Sequence, residues 1–401
     1  MNPPPDLLDK LRVLLARVQA QSAGQPRPLE AVIDDVLGPC EVSIEGRRTI
    51  TFGSNNYFGL TLHPDVVGAA TDALQRYGTA TTGSRITSGT LALHRALEDD
   101  LAQAYGLRHA AVFSTGYQAN LAVVGALCGE GDHVVLDMDC HASIYDAVRL
   151  SGAKIVGFRH NAPDFLARQL SRLPAGARNR LVVVEGLYSV YGDLAPLRDI
   201  LAVCRDAGAY LMVDEAHSLG PYGTRGLGCV EDQGLLGQVD FIVGTFSKTL
   251  AGMGGFVVSN HDELAVLHMV ARPYLFTASG SAANMAGVRA ALRIVTEQRD
   301  LAERLWQVVH RVRDGVTRLG FRTSDTASPI VPLLAGDVES TYHAWRELLA
   351  AGLYVNLIAP PACRADACVL RLSCSSAHTD AQVDEALDAL ARVGRGAGLI
   401  A

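Results

Sequence analysis

The stretch "VDFIVGTFSKTLAGMGGFVVS" (239–259) decides how this chain folds. An apolar run, Val239 to Val243, leads into small residues and Lys248. Glycines follow, then a second apolar run that closes at Ser259. Lys248 therefore lies just past the end of a predicted strand. There it can bind a nucleotide phosphate, hold an aldehyde cofactor, or cap a turn. Similar runs recur on either side: "AAVFS" (110–114), "HVVLD" (133–137), "KIVGF" (154–158), "LVVVE" (181–185), "AYLMVD" (209–214), "FIVGT" (241–245) and "GFVVS" (255–259). Helix-length segments such as "QANLAVVGALC" and "APLRDILAVCRDAG" separate them. Apolar runs that are nearly continuous read as strands buried on both faces, and their alternation with helices predicts an α/β fold with a mostly parallel sheet.

The two ends read differently. Leu7, Leu11, Leu14 and Val18 mark one face of an N-terminal amphipathic helix, expected to dock on the body. From about Asn284 long helical patterns take over, followed by "IVPLLAG", "GLYVNLIAPP", "CVLRLSCS" and a last helix from about Asp380. The expected division is an N-terminal helix and arm (1–50), a large domain (51–283) and a smaller α+β domain (284–401).

A net charge of −7 with no basic run argues against nucleic acid as a partner. No apolar run is long enough to span a bilayer, so stable membrane insertion is not expected. The eight cysteines form no CxxC pair, which fits a reducing cytoplasm and no metal site.

Ligands in open α/β sheets bind at the carboxyl ends of the strands. The unusual residues gather there. Gly116 and Tyr117 open a helix whose free N–H groups suit a phosphate. His141, Asp214, His217, Thr245, Ser247 and Lys248 each follow a strand. Ser247 stands where a P-loop requires glycine, and neither a GxSxG elbow nor an HExxH motif occurs. Pyridoxal 5′-phosphate uses all the pieces. Lys248 supplies the Schiff base, and Asp214 keeps the pyridine nitrogen protonated. His141 supports the ring and His217 donates to its phenolic oxygen. Gly116, Tyr117, Thr245 and Ser247 hold the phosphate.

At these residues the sequence resembles the α-oxoamine synthases, fold type I pyridoxal phosphate enzymes of the aspartate aminotransferase-like class. The matching segments include "GSNNYFGL" (53–60), "TTGSRITSGTLALHRALE" (81–98), "FSTGYQANL" (113–121), "HASIYDA" (141–147), "VVEGLYSVYGDLAPL" (183–197), "VDEAHSLGPYG" (213–223), "GTFSKTLAGMGGFVV" (244–258) and "RPYLFTAS" (272–279). The resemblance implies a homodimer with shared active sites, in which Thr277 and Ala278 touch the phosphate bound by the neighbouring subunit. It implies that Ser189 lies beside the cofactor, that Arg371 holds an amino-acid carboxylate, and that Asn55, Tyr57 and Ser88 lie on the substrate side. The family pattern is altered at 279–282 ("SGSA"), at Cys140, at Ser88 and at Ala359. The activity implied is decarboxylative Claisen condensation of serine, alanine or glycine with an acyl thioester, carried by CoA or an acyl carrier protein. The alternatives are an aminooxononanoate or aminolevulinate synthase-like enzyme, an aminotransferase, and a catalytically silent partner subunit.

Overall fold

The computed structural model describes residues 6–22, 31–174, 180–360, 362–363 and 366–401. Three short strands come first: β1 (Ile33–Gly38), β2 (Glu41–Ile44) and β3 (Arg47–Thr51). Seven more follow: β4 (His109–Phe113), β5 (His133–Asp137), β6 (Lys154–Phe158), β7 (Arg180–Glu185), β8 (Tyr210–Asp214), β9 (Phe241–Thr245) and β10 (Gly255–Ser259). These seven make one sheet in the order β4-β10-β9-β8-β7-β5-β6. Its pairings are parallel except at β10, which is antiparallel to both neighbours. The fold is thus the α/β arrangement expected from the sequence.

Successive side chains of a strand point to opposite faces, and here the two faces feed two cores. Val135, Val182, Val184, Val213, Ile242 and Val258 enter one core. Val134, Leu136, Val183, Met212, Val243 and Val257 enter the other. Burying a Val or Leu side chain contributes roughly 1.5–3 kcal/mol, so a charged residue at Val183, which is 0% exposed, would break the sheet's centre.

The last third adds β11 (Ile330–Gly336), β12 (Leu353–Tyr354), β13 (Asn356–Ile358) and β14 (Cys368–Ser373). β11, β14 and β13 form a three-stranded sheet. β12 instead joins the arm, pairing in parallel with β3 through Leu353–Ile50 and Tyr354–Thr51. The long helical run from 284 is two helices, Ala282–Glu297 and Asp300–Arg318. Ser281 caps the first through the Asn284 amide. Thr379 and Gln382 cap the final helix, Asp380–Gly396, reciprocally.

The N-terminal helix forms over Asp9–Ser22, but its apolar stripe does not dock on this chain as expected. Leu7 is 91% and Leu11 59% exposed, and Leu14 is exposed too. Val18 lies outside the described side chains. Amphipathic periodicity reports that a face needs cover without saying which surface supplies it. Among the described residues, no helix is long and apolar enough to cross a membrane.

Candidate active site

The register of the large sheet brings its functional strand ends level. Glu185 on β7 is paired with Asp214 on β8, and Asp214 with Val243 on β9. Above these ends lies a cavity of about 400 Å³, lined by Gly116, Tyr117, Asn120, His141, Ser143, Glu185, Asp214, His217, Thr245, Ser247 and Lys248 among others. A larger cleft of about 630 Å³ lies between helices and has neither lysine nor histidine in its wall.

One end of the cavity is an anion cradle. Thr115 caps the helix Gly116–Leu127 by accepting from the Gln118 amide. Among the described residues, the Gly116 and Tyr117 amides have no hydrogen-bond partner. A Cβ on Gly116 would lie 2.8 Å from Thr245, so glycine is what lets the helix end reach the hydroxyls of Thr245 and Ser247. Those hydroxyls are 2.9 Å apart.

At the other end, Asp214 is buried and receives two hydrogen bonds. The Ala216 amide donates to Oδ1 at 2.9 Å, and Asn120 Nδ2 to Oδ2 at 2.9 Å. Asn120 Nδ2 also donates to Ser143 Oγ at 2.9 Å, and Ser143 Oγ meets His141 Nδ1 at 2.7 Å. The Ser143 amide donates to the same Nδ1 at 3.2 Å. An amide can only donate, so Nδ1 accepts and the neutral ring carries its proton on Nε2. Burial, aided by Lys248, lowers the His141 pKa against the opposing pull of Asp214 and Asp146.

Lys248 is partly buried in the cavity wall. Burial brings its pKa down to about 8, with Asp214 and Glu185 opposing and Arg371 assisting. No hydrogen bond or ion pair to its amine occurs among the described residues. Glu185, 4% exposed, accepts from the His141 amide through Oε1 at 2.5 Å. Burial, with Asp214 adding to it, raises its pKa well above the carboxylate range.

Arg371 on β14 approaches from the small sheet. It donates to the Ser189 carbonyl at 2.6 Å and to Asn55 Oδ1 at 3.2 Å. Its Nε is buried with no partner, and no carboxylate pairs with it among the described residues. Tyr57 Oη lies 2.7 Å from His217 Nδ1.

Of the residues singled out from sequence, Lys248, Asp214, His141, His217, Gly116, Tyr117, Thr245 and Ser247 meet in one cavity. Tyr57 joins through His217. Asn55, Ser189 and Arg371 form an adjoining cluster. Thr277, Ala278 and Ser88 do not line the cavity. Thr277 accepts from Gln118 at 3.4 Å, the Ala278 carbonyl accepts from Ser114 at 2.6 Å, and Ser88 packs on Gly83. Sequence reading missed Asn120, Ser143 and Glu185. Their only signal was position, on a helix that opens at a strand end, two residues past His141, and at the last residue of β7.

The sequence and the fold match known proteins. A family model for aminotransferase class I and II spans residues 47–390. The chain belongs to that family. Over 373 residues it is 48% identical to serine palmitoyltransferase of Caulobacter vibrioides, covering 93% of this chain and 92% of that one. Among solved structures, Sphingomonas wittichii serine palmitoyltransferase superimposes with a TM-score of 0.96 at 44% identity, covering 99% of this chain and all of that one. A high-resolution structure of SPT with its PLP internal aldimine gives 0.96 at 43% identity, with 99% of this chain and 100% of that one covered. Within the family the chain is an α-oxoamine synthase, a pyridoxal phosphate-dependent acyltransferase. This synthase has what that cofactor requires: an anion cradle that a Cβ would fill, a hydrogen-bonded buried carboxylate, and a lysine of lowered pKa at one cavity.

Proposed function

We propose that the enzyme condenses a small amino acid, serine before alanine or glycine, with an acyl thioester, releasing carbon dioxide and an α-amino ketone. The observation that carries this reading is the buried Arg371 guanidinium with an unpartnered Nε and no carboxylate of its own. A bidentate fork left without a counter-charge near the cavity lysine suits the carboxylate of an amino acid. Serine is placed first because the relatives reported above are serine palmitoyltransferases.

Lys248 holds the cofactor, Gly116, Tyr117, Thr245 and Ser247 take its phosphate, and Asp214 takes its ring nitrogen. When bound, pyridoxal phosphate supplies an aldehyde for amine exchange and a protonated ring that delocalises a carbanion. Lys248, once free, removes the α-proton of the amino acid, a task suited to an amine with a pKa of about 8. Arg371, steadied by Ser189 and Asn55, orients the carboxylate. His141, its Nε2 a donor, bears on the cofactor ring and the thioester carbonyl. Ser88, Thr277 and Ala278 serve a site completed by a second copy. The exposed Phe276 (74%), Ile86 (56%) and Leu7 (91%) are apolar surface for that copy to cover. We also take the division at 50/51 and 283/284 as the domain plan, the acyl carrier as CoA or acyl carrier protein, and the cytoplasm as the location, where eight unbridged cysteines persist.

The test is a spectroscopic titration with serine, alanine and glycine, followed by mass analysis of products from a thioester panel. Amino ketone formed from serine supports the reading, whereas amino transfer to a keto acid without thioester consumption refutes it. Lys248→Ala abolishes both turnover and the visible band of the bound cofactor. Turnover retained in that variant removes the lysine from its role.

A further inference from the structure

His217 is buried in the wall of the cavity. Burial, reinforced by the positive charges of Lys248 and Arg371 and by His141, lowers its pKa well below the usual value. The ring is therefore neutral and has one N–H to place. Nδ1 lies 2.7 Å from Tyr57 Oη. Tyr57 is 0% exposed, and burial holds its phenol protonated.

Two arrangements make that contact. Either the phenol donates to Nδ1, or Nδ1–H donates to the phenol oxygen. In the second, the phenolic proton has nowhere to go, because Oη has no other hydrogen-bond partner among the described residues and no access to water. An unmet buried donor costs about 1–3 kcal/mol. The first arrangement satisfies both groups. The backbone that carries the phenol is fixed on both sides. The Tyr57 amide donates to the Asn55 carbonyl at 2.9 Å, and the Ser376 amide donates to the Tyr57 carbonyl at 2.8 Å.

We infer that Tyr57 fixes His217 as the Nε2–H tautomer, so that the nitrogen left without a protein partner is a hydrogen-bond donor. Tyr57 is then a positioning residue that acts through His217. The consequence for catalysis rests on the reading that pyridoxal phosphate, whose phenolic oxygen needs a donor, occupies the cavity. His141 reaches the same tautomer by another route, the Ser143 amide.

The test is magic-angle-spinning NMR of the full-length, cofactor-loaded enzyme with ring-15N histidine, in the wild type and in Tyr57→Phe. The His217 signals are identified by their loss in His217→Gln. The expected result is Nε2 protonated and Nδ1 unprotonated in the wild type, and a mixed or inverted tautomer in Tyr57→Phe. The cofactor dissociation constant rises about two- to twelvefold in Tyr57→Phe, the worth of one hydrogen bond. Nδ1 protonated in the wild type overturns the inference, as does a tautomer unchanged in Tyr57→Phe. Should Tyr57→Phe fail to fold, the wild-type spectrum still decides. In a His217→Ala background, Tyr57→Phe adds no further loss of cofactor affinity, and an equal loss there also overturns it. Absence of the cofactor's visible band in the wild type counts against the site reading, whereas the band with the opposite tautomer counts against the inference alone.

Discussion

Replacing His160 with leucine should destabilise the protein in a pH-dependent way. His160 Nδ1 lies 2.8 Å from Asp137 Oδ1 and Nε2 lies 2.5 Å from Asp193 Oδ2. The ring also meets Tyr188 edge to face at 4.4 Å. Burial alone would lower the pKa of His160, but the hydrogen bonds to Asp137 and Asp193 outweigh it and hold the imidazolium up to about 10. Against about 6.5 for a free imidazole, that amounts to roughly 4–5 kcal/mol of preferential proton binding by the folded state. The side chain is 25% exposed, and solvent screening reduces this to about 2–3 kcal/mol. The folded pKa is raised, so this stability is fully present below about 6.5 and is lost as pH rises through about 10. Urea unfolding of wild type and His160→Leu at a fixed protein concentration reads the difference. The gap should be about 2–3 kcal/mol at pH 6 and should shrink steadily towards pH 10, while groups remote from His160 cancel. A gap that stays constant over that range, or one below about 1 kcal/mol at pH 6, refutes the reasoning. Activity should fall with stability, because Asp137 begins the turn to His141 and Asp193 closes the loop that carries Ser189.

Other outcomes follow from the same contacts. Asn120→Ala removes the amide that ties Asp214 to Ser143; kcat should fall roughly 10- to 100-fold, the worth of one hydrogen bond to a charged group, while stability changes less, because the variant also removes the unpartnered Asn120 Oδ1. Arg371→Lys gives up the planar fork, so KM for the amino acid should rise about 10- to 100-fold with kcat little changed in steady-state kinetics. The rate at which cofactor-free protein takes up pyridoxal phosphate should climb about tenfold per pH unit below about 8 and level off above it, as Lys248 loses its proton; a flat profile by stopped-flow absorbance counts against a free-amine nucleophile.

Much of the site could be read in the sequence because it is built from strand ends. β5, β6, β9 and β10 coincide with their apolar runs, since a strand buried on both faces has little room for polar residues. The residues after those runs fall at one edge of the sheet whatever the helices between them do. Strands β1 to β3 were missed. "IDDVLG" is almost wholly exposed, "EVSI" alternates over only four residues, and "RRTIT" begins with two exposed arginines, so none makes an apolar run like those of the large sheet. Asn120 and Ser143 also escaped notice, because neither titrates and their value lies in joining Asp214 to His141. The Tyr57–His217 contact spans 160 residues, and no local pattern encodes a pairing over that distance. The N-terminal stripe forms a helix face as read, but Leu7, Leu11 and Leu14 stay exposed.

The arm closed by β12 also sets a timetable for synthesis. The Phe52 carbonyl takes the Ser373 amide at 2.7 Å, and the Tyr57 carbonyl takes the Ser376 amide. A ribosome releases the lysine-bearing turn long before it releases those two serines. The nascent large sheet can therefore form early, yet Arg371 and a fixed Tyr57 wait for β14 and the serines that follow it. A messenger cut short before codon 371 would yield a protein that has Lys248 but lacks the Arg371 guanidinium.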